Sequence, residues 1–236
     1  MKILTNIQTS QLGGIGQTLH NLITSLENKN PEKVKFVGVE VISDPNYSEK
    51  GICYRSTSDS VIKIISVGVK TANFEDIIHS VKSVNEIKNN YSELIDAYIS
   101  IIKKENPNLI LLNGTYFVPW CLFQAGKQLG IPMALHYHGI LSKETSHFDL
   151  PIQKIILDME RTFDNDKLLY IFPSDLAKTT VENEVFQHQI ARSAIIPNWS
   201  EQENCISFAR IHLGPISIDG FSSRHRPHIY GLTIQE

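Results

Sequence analysis

Cysteine is scarce and odd in number. Cys53, Cys121 and Cys205 are the only three and lie far apart, which argues for a reducing compartment over a disulfide framework. Long apolar runs are missing as well; none reaches the length needed to span a bilayer. There is no basic block, and the formal net charge is -3 at pH 7, which removes the usual electrostatic motive for binding nucleic acid. No Gly-Lys-Ser/Thr follows the early glycines, so there is no P-loop. No Gly-x-Ser-x-Gly elbow is present and Cys121 falls in an apolar helical segment, so a nucleophilic hydrolase has poor support. Met1-Lys2-Ile3-Leu4 starts a strand without a signal-peptide pattern. The expected location is the cytoplasm; peripheral contact with a membrane is compatible with it.

What is present is the pattern of a packed α/β protein. Of 236 residues, 42% are hydrophobic and 20% charged, a balance that favours a globular core over disorder. Short apolar runs at Ile3–Ile7, Val34–Ile42, Ile52–Tyr54, Val61–Val69, Leu109–Leu112, Met133–Tyr137, Leu168–Phe172 and Ala194–Ile196 read as strands. Between them lie amphipathic segments. Val84, Ile87, Tyr91, Leu94, Tyr98 and Ile101 recur at three- and four-residue steps, which predicts one long helix over Val84–Glu105, stopped by Pro107. Helices are also expected at Gln17–Glu27, Val118–Leu129 (ended by Gly130 with Pro132 beyond), Ile152–Phe163 and Asp175–Phe186. The alternation implies a Rossmann-like parallel sheet with helices on both faces. Residues 1–198 carry this pattern, whereas 199–236 show no sustained period and read as an atypical, irregular C-terminal tail.

In such sheets ligands sit beyond the carboxyl ends of the strands. The segments to inspect are therefore Gly13-Gly14-Ile15-Gly16, Asn113-Gly114-Thr115, His138-Gly139 and Ser174. The glycine stretch comes first. It opens a helix after the first strand, where glycine permits close backbone approach and unpaired N–H groups favour an anion such as a diphosphate. As a dinucleotide fingerprint it is poor: Leu19 stands where the third glycine belongs, and Gln8–Leu12 intervene after the strand. Gly14, Gly16 and Glu40 keep a NAD-dependent oxidoreductase open as a reading. His138, at a strand end, is placed to hydrogen-bond a sugar hydroxyl or a phosphate; a structural histidine is the plainer alternative. His136 and His138 form a His-x-His pair, but His147 and Asp149 complete no convincing ligand set, so no metal is expected. Asn113 either contacts a polar ligand or closes its turn, and Ser174 is most simply a helix cap.

The ordered series resembles a known family. Gly13-Gly14-Ile15-Gly16 is followed by Pro107-Asn108-Leu109-Ile110-Leu111-Leu112-Asn113. Then come Gly130-Ile131-Pro132-Met133-Ala134-Leu135-His136-Tyr137-His138-Gly139, Ile171-Phe172-Pro173-Ser174 and Ile195-Ile196-Pro197-Asn198. This is similar to the N-terminal half of family 4 glycosyltransferases, retaining enzymes of the GT-B architecture. The resemblance implies two Rossmann-like domains facing a cleft, the N-terminal one receiving mainly the acceptor and the C-terminal one the nucleotide-sugar donor. It implies that the Gly14 backbone approaches the donor diphosphate and that His138 contacts the transferred sugar as the catalytic residue; Gly13, Ile15, Gly16, Asn113, Gly139 and Ser174, taken from the glycine loop and the strand ends, are the remaining expected substrate- or donor-binding residues. It implies no metal and no cofactor beyond the nucleotide sugar as co-substrate, and a sugar or lipid-linked acceptor. The donor-domain motifs of the family, basic groups for the diphosphate and a Glu-x7-Glu pair, do not follow Asn198; Glu201, Glu203 and Glu236 do not supply them. The chain is accordingly expected to be a truncated, frame-shifted or naturally split form, weakly active or inactive alone, or else a non-catalytic subunit that docks a separate donor-binding chain.

Overall fold

The computed structural model describes residues 1–7, 14–29, 33–43, 54–57, 62–70 and 73–197. Gly13, Cys53, Cys205 and the expected tail 199–236 lie outside the described residues. The strands are β1 (Lys2–Asn6), β2 (Lys35–Ser43), β3 (Tyr54–Thr57), β4 (Lys63–Val69), β5 (Leu109–Asn113), β6 (Met133–His136), β7 (Leu169–Phe172) and β8 (Ser193–Ile195). They form one eight-stranded sheet in the order β3-β4-β2-β1-β5-β6-β7-β8. Every pairing is parallel except β3 with β4, so β3 is an antiparallel edge strand on a parallel sheet.

The helices are α1 (Gly14–Lys29), α2 (Phe74–His79), α3 (Val84–Asn90), α4 (Ser92–Glu105), α5 (Phe117–Leu129), α6 (Leu141–Glu144), α7 (Leu150–Arg161) and α8 (Asp175–Thr180), which runs on into a π-helical segment, Val181–Phe186. Strand alternation sorts the core into two layers. Leu4, Val37, Val39, Ile110, Leu112 and Leu135 point to the face covered by α2–α8, with Tyr98, Trp120, Ile156 and Val185 packed over them. Ile3, Phe36, Leu111 and Ala134 point to the other face, where α1 lays Leu19 and Ile23 against them. A Cβ at Gly126 would meet Met133 Sδ at 2.6 Å and Ile110 Cδ1 at 2.8 Å, so this glycine lets α5 lie close on β5 and β6.

Two expected helices are divided. Val84–Glu105 breaks at Tyr91 (φ -118°, ψ 23°), which follows the weak helix formers Asn89 and Asn90 and packs its ring edge-on to Phe117 at 4.4 Å. Ile87, Leu94, Tyr98 and Ile101 still share the buried side, so the periodicity was sound and only continuity failed. Asn106, in the left-handed region at φ 47°, ends α4 ahead of Pro107. Asp175–Phe186 changes to π-helical spacing from Val181. Gly130, at φ 66°, terminates α5 where the sequence placed the stop.

Two edges of the sheet differ in chemistry. At the amino edge Lys2 and Lys63 converge on Glu105, Lys63 Nζ lying 2.5 Å from Oε1 and Lys2 Nζ 3.5 Å from Oε2. Burial pushes the Glu105 carboxyl upward, but the two lysines outweigh it and hold it below the usual carboxylate range. The carboxyl edge instead gathers amides and imidazoles with the carboxylates Glu144 and Glu160 in the segments beyond β5 and β6. Among the described residues no helix is long and apolar enough to cross a membrane.

Candidate functional site

Strand order locates a crevice. From β1 the chain moves outward through β2 to β4, then returns to β5 and moves the opposite way through β6, β7 and β8. The direction reverses between β1 and β5, and open α/β sheets bind ligands beyond the carboxyl ends of the strands at such a reversal. The β1–β5 ladder stops at Thr5 and Leu111. Beyond it two side-chain bonds continue the pairing: Asn6 Nδ2 donates to the Asn113 carbonyl at 3.0 Å, and the Asn113 N–H donates to Asn6 Oδ1 at 2.8 Å. Both asparagines are buried. Each thus satisfies backbone or amide groups that the splaying strands would leave unpaired.

The polar chain extends one strand further. His138 Nε2 lies 2.5 Å from Asn113 Oδ1. An amide oxygen only accepts, so Nε2 carries the proton and Nδ1 is left as an acceptor. The His136 ring lies against that of His138, centroids 4.1 Å apart. Burial lowers the pKa of His138 to about 3, with a smaller contribution from His136, and burial lowers that of His136 to about 4. Both rings are neutral at neutral pH. His136 Nε2 has no hydrogen-bond partner among the described residues. Ala134 belongs to the layer under α1, and period-two alternation puts His136 on that same face. Helix α1 runs back antiparallel to β1, so its first turn, Gly14-Ile15-Gly16, lies toward the carboxyl edge on the face that carries the imidazoles.

Loops after β5 and β6 are joined on two further levels. Underneath, the Glu160 carboxylate of α7, 0% exposed, accepts from Leu141 N at 3.1 Å and Ser142 N at 3.1 Å and faces Thr115 Oγ1 at 3.5 Å. Burial raises the Glu160 pKa, opposed by those bonds from Ser142, Leu141 and Thr115. On the outside, Tyr116 O–H donates to Glu144 Oε2 at 2.7 Å. A Cβ on Gly139 would collide with the Glu144 carboxylate, so glycine there makes room for the carboxylate. Gly114, at φ 85°, turns the β5 loop and donates to the His136 carbonyl at 2.9 Å.

Of the residues singled out from sequence, Asn113 and His138 are in direct contact, Gly139 adjoins them, and Gly14, Ile15 and Gly16 form the start of α1. Ser174 uses its Oγ to cap α8, accepting from Ala177 N at 3.2 Å. Glu40 lies inside β2, three residues short of its end at Ser43, and its carboxylate accepts from Ser66 Oγ at 2.5 Å. The ring of His147 lies against Phe148. Among the described residues no group of three or more His, Cys, Asp or Glu is placed to hold a metal ion. Cys121 is wholly buried and burial raises its thiol pKa well above the ordinary value. Sequence reasoning missed Asn6, Tyr116, Glu144 and Glu160.

No protein-family profile matches the chain, and no curated protein matches it significantly. Solved structures match it by fold. Sucrose-phosphate synthase from Thermosynechococcus elongatus superposes with a TM-score of 0.58 at 14% identity, over 84% of this chain and 48% of that one. UDP-GlcNAc 2-epimerase from Methanocaldococcus jannaschii gives 0.52 at 12% identity, over 84% and 46%. The UDP-GlcNAc 2-epimerase from Neisseria meningitidis, bound to UDP-GlcNAc, gives 0.51 at 11%, over 90% and 51%. The chain spans about half the length of these structures. At such identities the likeness concerns the fold, which is that of a Rossmann-like GT-B domain.

Proposed function

We propose that the chain forms the acceptor-side domain of a retaining glycosyltransferase of the family 4 type, with its sugar-facing site at the carboxyl edge between β1, β5 and β6. The observation that carries the reading is the chain of hydrogen bonds Asn6–Asn113–His138 at the reversal of strand order, whose Asn113 and His138 side chains share the sheet face that α1 covers. Its chemistry suits a neutral polyhydroxyl group next to a diphosphate. The amide of Asn113 fixes the His138 tautomer, and the Nδ1 lone pair then accepts from a sugar hydroxyl. Because the ring stays neutral, it brings no charge to attract a counterion and no acidic imidazolium proton to lose. The N-terminal N–H groups and dipole of α1, next to Gly14, suit the diphosphate. Glu144, exposed and hydrogen-bonded by Tyr116, would repel phosphate and accept from hydroxyls, which favours the acceptor sugar on the β6 side and the diphosphate on the α1 side. Transfer requires donor and acceptor held together. The diphosphate and sugar meet this domain, whereas the base and ribose contacts belong to a second domain, carried by another segment or a separate chain, so the partners are a nucleotide sugar and a sugar or lipid-linked acceptor, without a metal, in the cytoplasm.

Glu40 weakens the oxidoreductase reading, since a ribose ligand belongs beyond a strand end and this carboxylate is engaged within the sheet by Ser66. A thermal-shift series separates the two. UDP, UDP-glucose and UDP-GlcNAc should raise Tm and NAD should not; at ten times Kd the stabilisation is RT ln 11, about 1.4 kcal/mol. A shift with NAD alone, or with none of the nucleotides, would overturn the proposal.

A further inference from the structure

Glu160 stands out because it costs free energy where it is. It sits on the buried stripe of α7 between Ile156, Met159 and Phe163, wholly shielded from water. A carboxylate in that position is strongly desolvated, and apolar replacements of buried ions are often neutral or stabilising. No cation pairs with it among the described residues; its partners are the backbone N–H groups of Leu141 and Ser142, in the first turn of α6 beyond β6, and the hydroxyls of Ser142 and Thr115. Thr115, itself 1% exposed, belongs to the β5 loop. One side chain therefore fastens together the two loops that carry Asn113 and His138.

We infer that Glu160 is the positioning residue of this site: by clasping Leu141 and Ser142 against Thr115 from beneath, it holds the His138 ring on Asn113 Oδ1. The two loops have only two other links of side chain to side chain among those described, Asn113–His138 itself and Tyr116–Glu144 at the exposed rim. The rim bond is open to water and contributes little orientation. The β5–β6 ladder and the Gly114 N–H to His136 carbonyl bond fix the strand register, and beyond it the buried clasp sets the orientation in which a neutral imidazole presents Nδ1. Its meaning for catalysis rests on the proposed sugar-facing role of His138, but its structural content does not.

The test needs no ligand, so its failure is distinct from failure of the functional reading. Side-chain 15N NMR of the histidines is recorded for the wild type and for Glu160→Gln, with Asp as the conservative replacement. Gln keeps one accepting oxygen but presents an NH2 to a backbone N–H, so one clasp bond is lost. With the fold retained by circular dichroism, Glu160→Gln should release His138: its fixed Nε2–H tautomer becomes a mixture and its pKa rises by at least about one unit toward the exposed value of 6.5, as expected when an imidazole regains solvent. Glu160→Asp should restore part of the fixed tautomer, and His136, held in β6, should keep its own signature. If Glu160→Gln does not fold, Thr115→Val, which deletes one clasp partner without changing volume, should move the His138 signals in the same direction by a smaller amount. An unchanged His138 tautomer and pKa in whichever of these variants folds would overturn the inference and leave Glu160 a packing feature.

Discussion

Lowering the pH from 7 to 5 is expected to destabilise the fold by about 2 kcal/mol for each of His136 and His138, since each unit of pKa difference is worth about 1.4 kcal/mol. The folded values are about 4 and about 3, against 6.5 for a free imidazole. The unfolded chain therefore binds protons between pH 6.5 and 4 that the folded chain refuses, and stability is lost as pH falls through that window. Glu160 works against the trend, because its raised pKa favours the folded state on acidification. His188, exposed and raised by Asp164, also runs the other way but is screened by solvent. Glu105 acts in the same sense as the imidazoles, though at lower pH. Urea unfolding at stepped pH measures the slope. His138→Gln should remove about half of the histidine-dependent slope, and Asn113→Asp should flatten it by giving the imidazolium a charged partner. A wild-type slope near zero between pH 6.5 and 5 would show that the imidazoles are not buried as described.

Trp120→Ala should cost about 3–5 kcal/mol, the range for removing a large buried aromatic side chain. The residue is 1% exposed and lies in the layer between the sheet and α5. Its indole N–H donates to Thr162 Oγ1 at 2.6 Å, and that hydroxyl donates to the Met159 carbonyl at 2.7 Å. Truncation therefore opens a cavity and also frees the carboxyl end of α7, the helix that carries Glu160. Trp120→Phe retains most of the ring, loses only the donor, and should cost about 1–2 kcal/mol. Chemical denaturation of both variants checks the pair. Equal costs would mean that packing contributes nothing beyond the hydrogen bond, contrary to the burial.

Much of the fold was legible because its signals are local. Continuous apolar runs ending at Asn113-Gly114, at His138-Gly139 and at Pro173-Ser174 mark buried parallel strands, and a left-handed glycine such as Gly130 ends a helix whatever surrounds it. The break at Tyr91 was not legible, since both of its flanking helices keep their apolar side in phase. The site was half legible. Asn113 and His138 sit at strand ends, where topology alone draws attention, yet their contact joins residues 25 apart and no spacing rule encodes it. Asn6 looked like an ordinary strand residue; its role depends on β1 and β5 being neighbours across a reversal 107 residues apart. Glu160 did leave a signal, a carboxylate four residues after Ile156 on the apolar stripe of a helix. A charge in that phase is either an error of pattern or a buried polar anchor, and the structure shows the second.

On the proposed function, the carboxyl edge between β1, β5 and β6 receives a sugar diphosphate, with the diphosphate at α1 and the sugar at His138. Backbone and imidazole NMR during a millimolar titration with UDP-glucose and UDP-GlcNAc locates the ligand directly. Gly14–Gly16, Asn113–Thr115 and His138-Gly139 should shift together, and His138 Nδ1 should show the change expected of an acceptor. Shifts confined to the amino edge, around Leu109, Pro132 and Asp166, or the absence of any shift at saturating nucleotide sugar, would contradict it.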